Sequence, residues 1–216
     1  MSVSESQLTT FEDWTLRLRP GAGGSAQVML LLHGWTGDEN SMWVFAPQLP
    51  KDALLVAPRA PYVSKHPQLA GYSWVADRGD SFSTEEQFRS VVDSFDRLLS
   101  NLAKEFSVEL TNASFVGFSQ GASFCLAYAL RQPEFVPKLA MLAGFIPTNA
   151  EIGNKLAGKP IFIAHGTKDQ TVPIAKAREA RQQLEAAGAK VRYCESDIGH
   201  KLGANCFREL GEFFAK

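Results

Sequence analysis

The sequence predicts one α/β domain in which a mostly parallel sheet is covered by helices on both faces. Continuous apolar runs of strand length recur along the chain, and strands that are apolar at every position are buried on both faces. Segments with helical spacing of apolar residues separate these runs. Strands that alternate with helices form parallel sheets. The 216 residues, 45% of them hydrophobic, fit a single domain over residues 1–216 and leave no length for a large cap.

The first strand is predicted within residues 11–18, where apolar and polar residues partly alternate as in an edge strand. Later strands are expected at 28–32, 53–57, 115–117, 139–143, 160–164 and 191–196. Between them, residues 59–82 have no periodicity. A capping box, with Ser83 as N-cap and Glu86 reaching back, is predicted to begin the longest helix. Helices are also expected after residue 119, from Pro173 in a first turn, and at the C-terminus.

Charge and composition exclude several classes of protein. Lysine and arginine total 22 against 23 acidic residues, so no long-range field favours nucleic acid or an anionic membrane. Apolar runs are too short for a membrane span, and no basic start leads into an apolar run as in a secretory signal. Neither stable membrane insertion nor a nucleic-acid partner is therefore expected.

The three cysteines are expected to be buried thiols. Cys125, Cys194 and Cys206 are an odd number and fall within helix or strand segments rather than at spaced loop positions. Such cysteines are typical of a reducing compartment, which predicts a cytoplasmic protein.

The segment Gly117-Phe118-Ser119-Gln120-Gly121 has the G-x-S-x-G pattern of a nucleophile elbow. In that motif the serine lies on a sharp turn between a strand and a helix, and glycines relieve the crowding around it. The pattern also suits an ordinary strand–helix junction with an N-capping serine, so its context decides.

Asp169 and His200 each follow a predicted strand, at the sheet edge where sites of open α/β sheets gather. The order Ser119, Asp169, His200 is the nucleophile–acid–histidine order of α/β-hydrolases. A serine hydroxyl needs a histidine to take its proton and a carboxylate to orient that histidine. These residues are therefore predicted to form a catalytic triad.

Two alternatives concern this triad. Asp169 could instead serve merely to stabilise a turn, and Asp197, three residues before His200, is a rival acid.

The other histidines are interpreted as structural or exposed residues. His33 and His165 precede glycines at strand ends and are interpreted as hydrogen-bonded structural residues, and His66 as an exposed loop residue. Because no histidines and carboxylates have metal-ligand spacing, neither a metal nor another cofactor is expected.

An oxyanion hole is predicted from two backbone N–H groups. Gln120 follows the nucleophile directly, and Trp35 follows His33-Gly34 after a buried strand, where the loop faces the elbow. The irregular segment 59–82 and residues 145–146 are expected to supply the substrate surface. The candidate substrate-binding residues are Tyr72, Trp74, Phe145 and Ile146. The alternative for Tyr72 and Trp74 is that they only anchor the long loop to the core.

Several blocks in correct order resemble the phospholipase/carboxylesterase family, which includes the acyl-protein thioesterases. They are Leu32-His33-Gly34, Pro58-Arg59-Ala60-Pro61, Gly117-Phe118-Ser119-Gln120-Gly121, Leu142-Ala143-Gly144-Phe145-Ile146-Pro147, His165-Gly166-Thr167-Lys168-Asp169 with Val172-Pro173, and Gly199-His200. The resemblance implies a cap-less α/β-hydrolase acting on carboxylic esters or thioesters, with the same triad and oxyanion donors.

The chain departs from the resemblance at Trp35-Thr36, where family members often have a smaller aliphatic residue followed by glycine. A bulky ring beside the scissile bond predicts a short acyl pocket. The resulting expectation is a serine esterase for short-to-medium acyl chains. The alternatives are an acyl-protein thioesterase or lysophospholipase, and a non-catalytic binding protein that retains the fold.

Overall fold

The computed structural model describes residues 6–21, 27–77, 82–109, 111 and 113–215. Within them the strands are β1 (Gln7–Phe11), β2 (Trp14–Arg19), β3 (Val28–Leu32), β4 (Leu54–Pro58), β5 (Tyr62–Val63), β6 (Tyr72–Ser73), β7 (Ala113–Phe118), β8 (Lys138–Leu142), β9 (Pro160–Gly166) and β10 (Lys190–Ser196). The helices are α1 (Glu85–Phe106), α2 (Gln120–Arg131), α3 (Ile174–Ala186) and α4 (Ala204–Phe214), with 3₁₀ helices at Ser41–Gln48 and Pro133–Phe135.

The central sheet has eight strands in the order β1-β2-β4-β3-β7-β8-β9-β10. All pairings from β4 to β10 are parallel, whereas β1 and β2 add an antiparallel edge. The strands β5 and β6 form a separate small hairpin. This architecture confirms the predicted mostly parallel sheet, and it gathers the carboxyl ends of β3, β7, β9 and β10 at one edge.

Alternate residues of β3 show how the sheet is covered on both faces. Leu30 and Leu32 pack into a core with α1, α2 and α3, while Met29 and Leu31 pack with the 3₁₀ helix at Ser41–Gln48 and with α4. Because both sets of side chains are buried, every position of the strand is apolar, which explains the continuous runs in the sequence. Among the described residues, no helix combines the length and the apolarity that crossing a membrane requires.

Three predicted boundaries differ from the structure. The edge predicted at 11–18 is a hairpin of β1 and β2 that turns after Phe11. The capping box lies one residue later than predicted: Thr84 accepts from the backbone of Gln87, whose side chain accepts from Thr84 N at 2.8 Å. The predicted partner Glu86 instead pairs with Arg89 on the helix surface. Pro173 is the N-cap of α3 rather than a residue of its first turn.

The prediction of three free thiols is wrong for two of the cysteines. Cys194 of β10 and Cys206 of α4 form a disulfide, with their Cα atoms 5.7 Å apart. Cys125 is free and buried in α2, where burial raises the pKa of its thiol. The helix α4 packs against β10 on one face of the sheet, a proximity that separation along the chain does not indicate.

Candidate active site

Ser119 joins β7 to α2 in a strained turn. Its φ of 52° and ψ of −118° lie outside the regions that side-chain-bearing residues usually adopt, at a cost of about 1–3 kcal/mol. The turn is anchored by Ser119 N, which donates to the carbonyl oxygen of Leu142 at 2.8 Å. A Cβ on Gly117 would collide with the backbone of Ala122, and one on Gly121 with the carbonyl oxygens that end β3. Both glycines of the motif are therefore sterically required.

Asp169 and His200 lie at the ends of β9 and β10 and contact each other. Asp169 Oδ2 is 2.6 Å from His200 Nδ1, and the carboxylate is fully buried. Its other oxygen accepts from the backbone N–H groups of Thr171 and Val172, both at 2.9 Å. These contacts fix the position of the carboxylate and make Nδ1 the protonated nitrogen of His200. Nε2, on the opposite side of the ring, is then the nitrogen that can accept a proton.

The rival acid Asp197 has a different environment. Its carboxylate is exposed and accepts from Lys168 Nζ at 2.8 Å and from the Thr167 hydroxyl at 3.3 Å. The hydrogen bond from the Lys168 ammonium lowers the pKa of Asp197. The Asp197 side chain therefore binds Lys168 and Thr167 at the protein surface rather than His200.

Ser119 and His200 line one cavity of about 300 Å³, here called the Ser119 cavity. The described residues that line it are Gly34, Trp35, Thr36, His66, Leu69, Phe82, Phe118, Ser119, Gln120, Phe145, Thr171, Val172 and His200. Within the described part of the chain, the Ser119 hydroxyl makes no hydrogen bond with the imidazole, whose ring packs 4.9 Å from that of Phe118. Such contacts often tighten only when substrate binds.

The two predicted oxyanion donors lie beside Ser119. Gln120 is the first residue of α2, where backbone N–H groups stabilise negative charge. Trp35 follows Gly34, which passes so close to the elbow that a Cβ there would lie 3.3 Å from Ser119 Cβ. The side chain of Gln120 is engaged elsewhere, because its Oε1 accepts from Trp74 N at 2.9 Å, so the predicted oxyanion donor is its backbone N–H.

His33 fixes the loop that carries Trp35. Its Nε2 accepts from Ala60 N at 3.0 Å, and its Nδ1 lies 2.7 Å from the carbonyl oxygen of Gly34. Burial lowers the pKa of His33 to about 4, which keeps the ring neutral, as its acceptor role at Nε2 requires. His33 is therefore a hydrogen-bonded structural residue, as its position at a strand end predicted.

A partly buried ion pair supports the same loop. Glu39 is almost fully buried and binds Arg59 through two hydrogen bonds of 2.7 and 2.8 Å. The hydrogen bonds from Arg59 lower the pKa of Glu39. The guanidinium also lies over the ring of Tyr72, 4.6 Å from its centroid. Arg59 thus links the loop that carries Trp35 to the β5–β6 hairpin, a role that sequence reasoning missed.

His165 and His66 both take part in the surroundings of the site. His165 is buried beside Asp169, with Nε2 2.8 Å from Val172 O and 3.2 Å from Asp169 Oδ2. Burial lowers its pKa, which favours a neutral ring that donates from Nε2. The prediction of an exposed His66 is wrong, because the residue is half-buried. Its ring packs 4.8 Å from Trp35, and its Nδ1 accepts two backbone N–H groups.

The four predicted substrate-binding residues separate into distinct environments. Phe145 lines the Ser119 cavity. The prediction for Trp74 is wrong, because its ring has no exposed surface and stacks on Phe124 in the core. Tyr72 lies in a separate depression beneath Arg59, and Ile146 packs against the core that contains α2. Neither is among the described residues of the cavity lining.

The sequence matches the model of the phospholipase/carboxylesterase family over residues 17–216. The chain belongs to this family. A carboxylesterase from Mesorhizobium loti has 25% identity and a TM-score of 0.79, with 97% of this chain and 98% of that chain covered. A carboxylesterase from Bacillus cereus has the same fold, with 24% identity and a TM-score of 0.80 over 94% of each chain.

A plant relative matches over a shorter stretch. The probable carboxylesterase SOBER1-like protein of Arabidopsis thaliana is 31% identical over 96 residues, which are 42% of this chain and 37% of that protein. The family match therefore rests on nearly the whole of this chain, whereas the match to the plant protein spans little over a third of its length.

Proposed function

We propose that the protein is a serine hydrolase that cleaves carboxylic esters of short-to-medium acyl chains through Ser119, His200 and Asp169. The observation that carries the proposal is the buried Asp169 carboxylate, which lies 2.6 Å from the imidazole of His200, while His200 lines the cavity that also contains the strained Ser119. A histidine held by a buried carboxylate beside a nucleophile elbow is the arrangement that acyl transfer requires.

In the first half of the reaction, His200 Nε2 takes the Ser119 proton while Oγ bonds to the ester carbonyl carbon. The backbone N–H groups of Trp35 and Gln120 stabilise the negative oxygen of the tetrahedral intermediate. The carbon–oxygen bond to the alcohol then breaks, and the imidazolium returns its proton to the departing oxygen. Asp169 stays ionised throughout and stabilises the imidazolium.

In the second half, water replaces the alcohol. His200 takes a proton from the water while the water oxygen bonds to the carbonyl carbon of the acyl-enzyme. The bond from that carbon to Ser119 Oγ then breaks, Oγ takes the proton from His200, and the carboxylic acid leaves. Thioesters follow the same route with a thiol as leaving group. The short-to-medium acyl preference rests on Trp35, whose ring lines the Ser119 cavity beside the proposed oxyanion site.

A fluorophosphonate probe tests the nucleophile. We expect one covalent adduct on the peptide that contains Ser119, with loss of both labelling and p-nitrophenyl acetate hydrolysis in Ser119→Ala. The surface variant Ser90→Ala is the matched control and should label like the wild type. An intact protein that hydrolyses neither oxygen esters nor the matching thioesters would instead support a non-catalytic binding protein.

A cytoplasmic location remains a prediction, and the disulfide argues against it. Disulfides persist mainly in oxidising compartments, whereas the prediction relied on three reduced thiols.

A further inference from the structure

A second cavity lies beside the Ser119 cavity. It has a volume of about 510 Å³ and is here called the Phe207 cavity, after the α4 residue at its far side. The two cavities share the described lining residues Gly34, Trp35, Thr36, Phe118 and His200. Ser119 and Gln120 belong to the described lining of the Ser119 cavity alone. His200 is therefore the proposed catalytic side chain that reaches both spaces.

The lining of the Phe207 cavity is mainly apolar. Met42, Val44 and Phe45 of the 3₁₀ helix face Leu202 and Phe207, and the rings of Phe45 and Phe207 lie 5.7 Å apart. Val44 lines this cavity and is 62% exposed, so this part of the wall is in contact with solvent. Lys201 is the charged residue among the described lining, and it is exposed. This environment suits a hydrocarbon group.

The proposed mechanism requires the acyl and alcohol portions of an ester to lie on different sides of the catalytic residues. The carbonyl carbon must bond to Ser119 Oγ, and its oxygen must face the N–H groups of Trp35 and Gln120, so the acyl group starts in the Ser119 cavity. The departing oxygen must instead accept the proton of His200 Nε2. Because Nδ1 is held by Asp169, Nε2 faces away from the carboxylate. The alcohol portion is thus directed to the side of His200, where the Phe207 cavity begins.

We infer that the Phe207 cavity binds the alcohol portion of the substrate, so that the preferred substrates are esters of short acids with extended apolar alcohols. This inference rests on the proposed function and assigns each portion of the ester to one of the two cavities. The larger cavity then serves the leaving group, while the smaller one, which contains Ser119, holds the acyl group.

Two isomeric esters test the inference. Octyl acetate and methyl nonanoate have the same formula and nearly the same hydrophobicity, but they place their long chain on opposite sides of the ester. Each buried methylene raises kcat/KM by about fourfold at most. We therefore expect kcat/KM for octyl acetate to exceed that for methyl nonanoate by about tenfold or more in the wild type. A ratio near one, or below it, would overturn the inference.

Matched tryptophan variants test which cavity binds the long hydrocarbon chain of each ester. Val44→Trp adds bulk to the wall of the Phe207 cavity and should lower the ratio of octyl acetate to methyl nonanoate hydrolysis about tenfold. Leu69 lines the Ser119 cavity and is 54% exposed, so Leu69→Trp should raise the same ratio. Val63, which is 73% exposed and outside the described lining of both cavities, provides the control Val63→Trp, with an unchanged ratio.

The outcomes distinguish this inference from the proposed function. If hydrolysis depends on Ser119 but Val44→Trp selectively suppresses methyl nonanoate, the acyl chain occupies the Phe207 cavity and the inference is wrong. If hydrolysis persists in Ser119→Ala, the proposed function itself is wrong.

Discussion

At the scale of single residues, Asp169 and Asp197 have opposite environments near the same histidine. Asp169 is buried, bonded to two backbone N–H groups and 2.6 Å from His200, whereas Asp197 binds Lys168 in solvent. A buried carboxylate with fixed geometry selects one tautomer of the histidine, and a solvated carboxylate paired with lysine does not.

Substitution of each aspartate by asparagine tests this difference. Asp169→Asn should lower kcat on p-nitrophenyl acetate by orders of magnitude, about 10⁴ where the same change disrupts the tautomer in a serine protease. Asp197→Asn removes only a surface ion pair and should change kcat less than about threefold. The measurement is kcat for the wild type and the two variants, after circular dichroism has verified that all three proteins are folded. A larger loss in Asp197→Asn would transfer the acid role to that residue.

Trp35 also acts at this scale, because one side chain touches both cavities. Its ring packs against His66 on the wall of the Ser119 cavity. Trp35→Leu should raise kcat/KM for long-chain p-nitrophenyl esters, by up to about fourfold for each methylene that gains an apolar wall, since leucine leaves more room. Acetate hydrolysis should change little, because the backbone donor is retained. Parallel chain-length profiles for the two proteins would show that Trp35 does not limit the acyl chain.

At the scale of elements, the disulfide closes the loop that carries His200. Cys194 in β10 and Cys206 in α4 are 12 residues apart, and His200 lies midway between them. The Ser196 hydroxyl contacts Cys206 Sγ at 3.1 Å and Asn205 Oδ1 at 2.6 Å, which ties the two ends of the loop together further. The cross-link therefore limits how far His200 can move away from Asp169.

Removal of this cross-link should destabilise the protein. Closing a loop of this length in the unfolded chain is worth about 3 kcal/mol. We expect reductant, or Cys194→Ala with Cys206→Ala, to lower the urea midpoint accordingly and to reduce kcat. Cys125→Ala is the control and should retain the sensitivity to reductant. Alkylation of three thiols in the unfolded, unreduced protein would contradict the disulfide, since one modified cysteine is expected.

The elements also show what the sequence alone could and could not predict. Ser119, Asp169 and His200 follow apolar runs, and the carboxyl ends of parallel strands meet at one edge, so their neighbourhood followed from order alone. The disulfide and the burial of Trp74 depend on which elements lie side by side. An aromatic residue in an irregular segment gives no indication of whether it faces the cavity or the core.

At the scale of the whole molecule, two buried neutral histidines couple folding to pH. Burial lowers the pKa of His33 from 6.5 to about 4, and it lowers the pKa of His165 as well. The unfolded chain binds protons at these positions below about pH 6.5, whereas the folded protein binds them only at lower pH. Their contribution to stability is therefore complete above pH 6.5 and is lost as the pH falls towards the lowered values.

The free energy of unfolding should therefore fall on acidification before most carboxylates titrate. For His33 alone, the lowered pKa predicts a loss of about 2 kcal/mol between about pH 7 and about pH 5, and His165 adds to it. Urea unfolding at both pH values measures this loss. His33→Asn should be less stable than the wild type at neutral pH, because the hydrogen bonds of His33 with Gly34 O and Ala60 N are altered, yet the stability of the variant should depend less on pH. Should that variant not fold, His165→Gln allows the same comparison. Identical pH dependence in the wild type and the folded variant would mean that the substituted histidine takes up its proton at the same pH in the native and in the unfolded protein, which would contradict the lowered pKa.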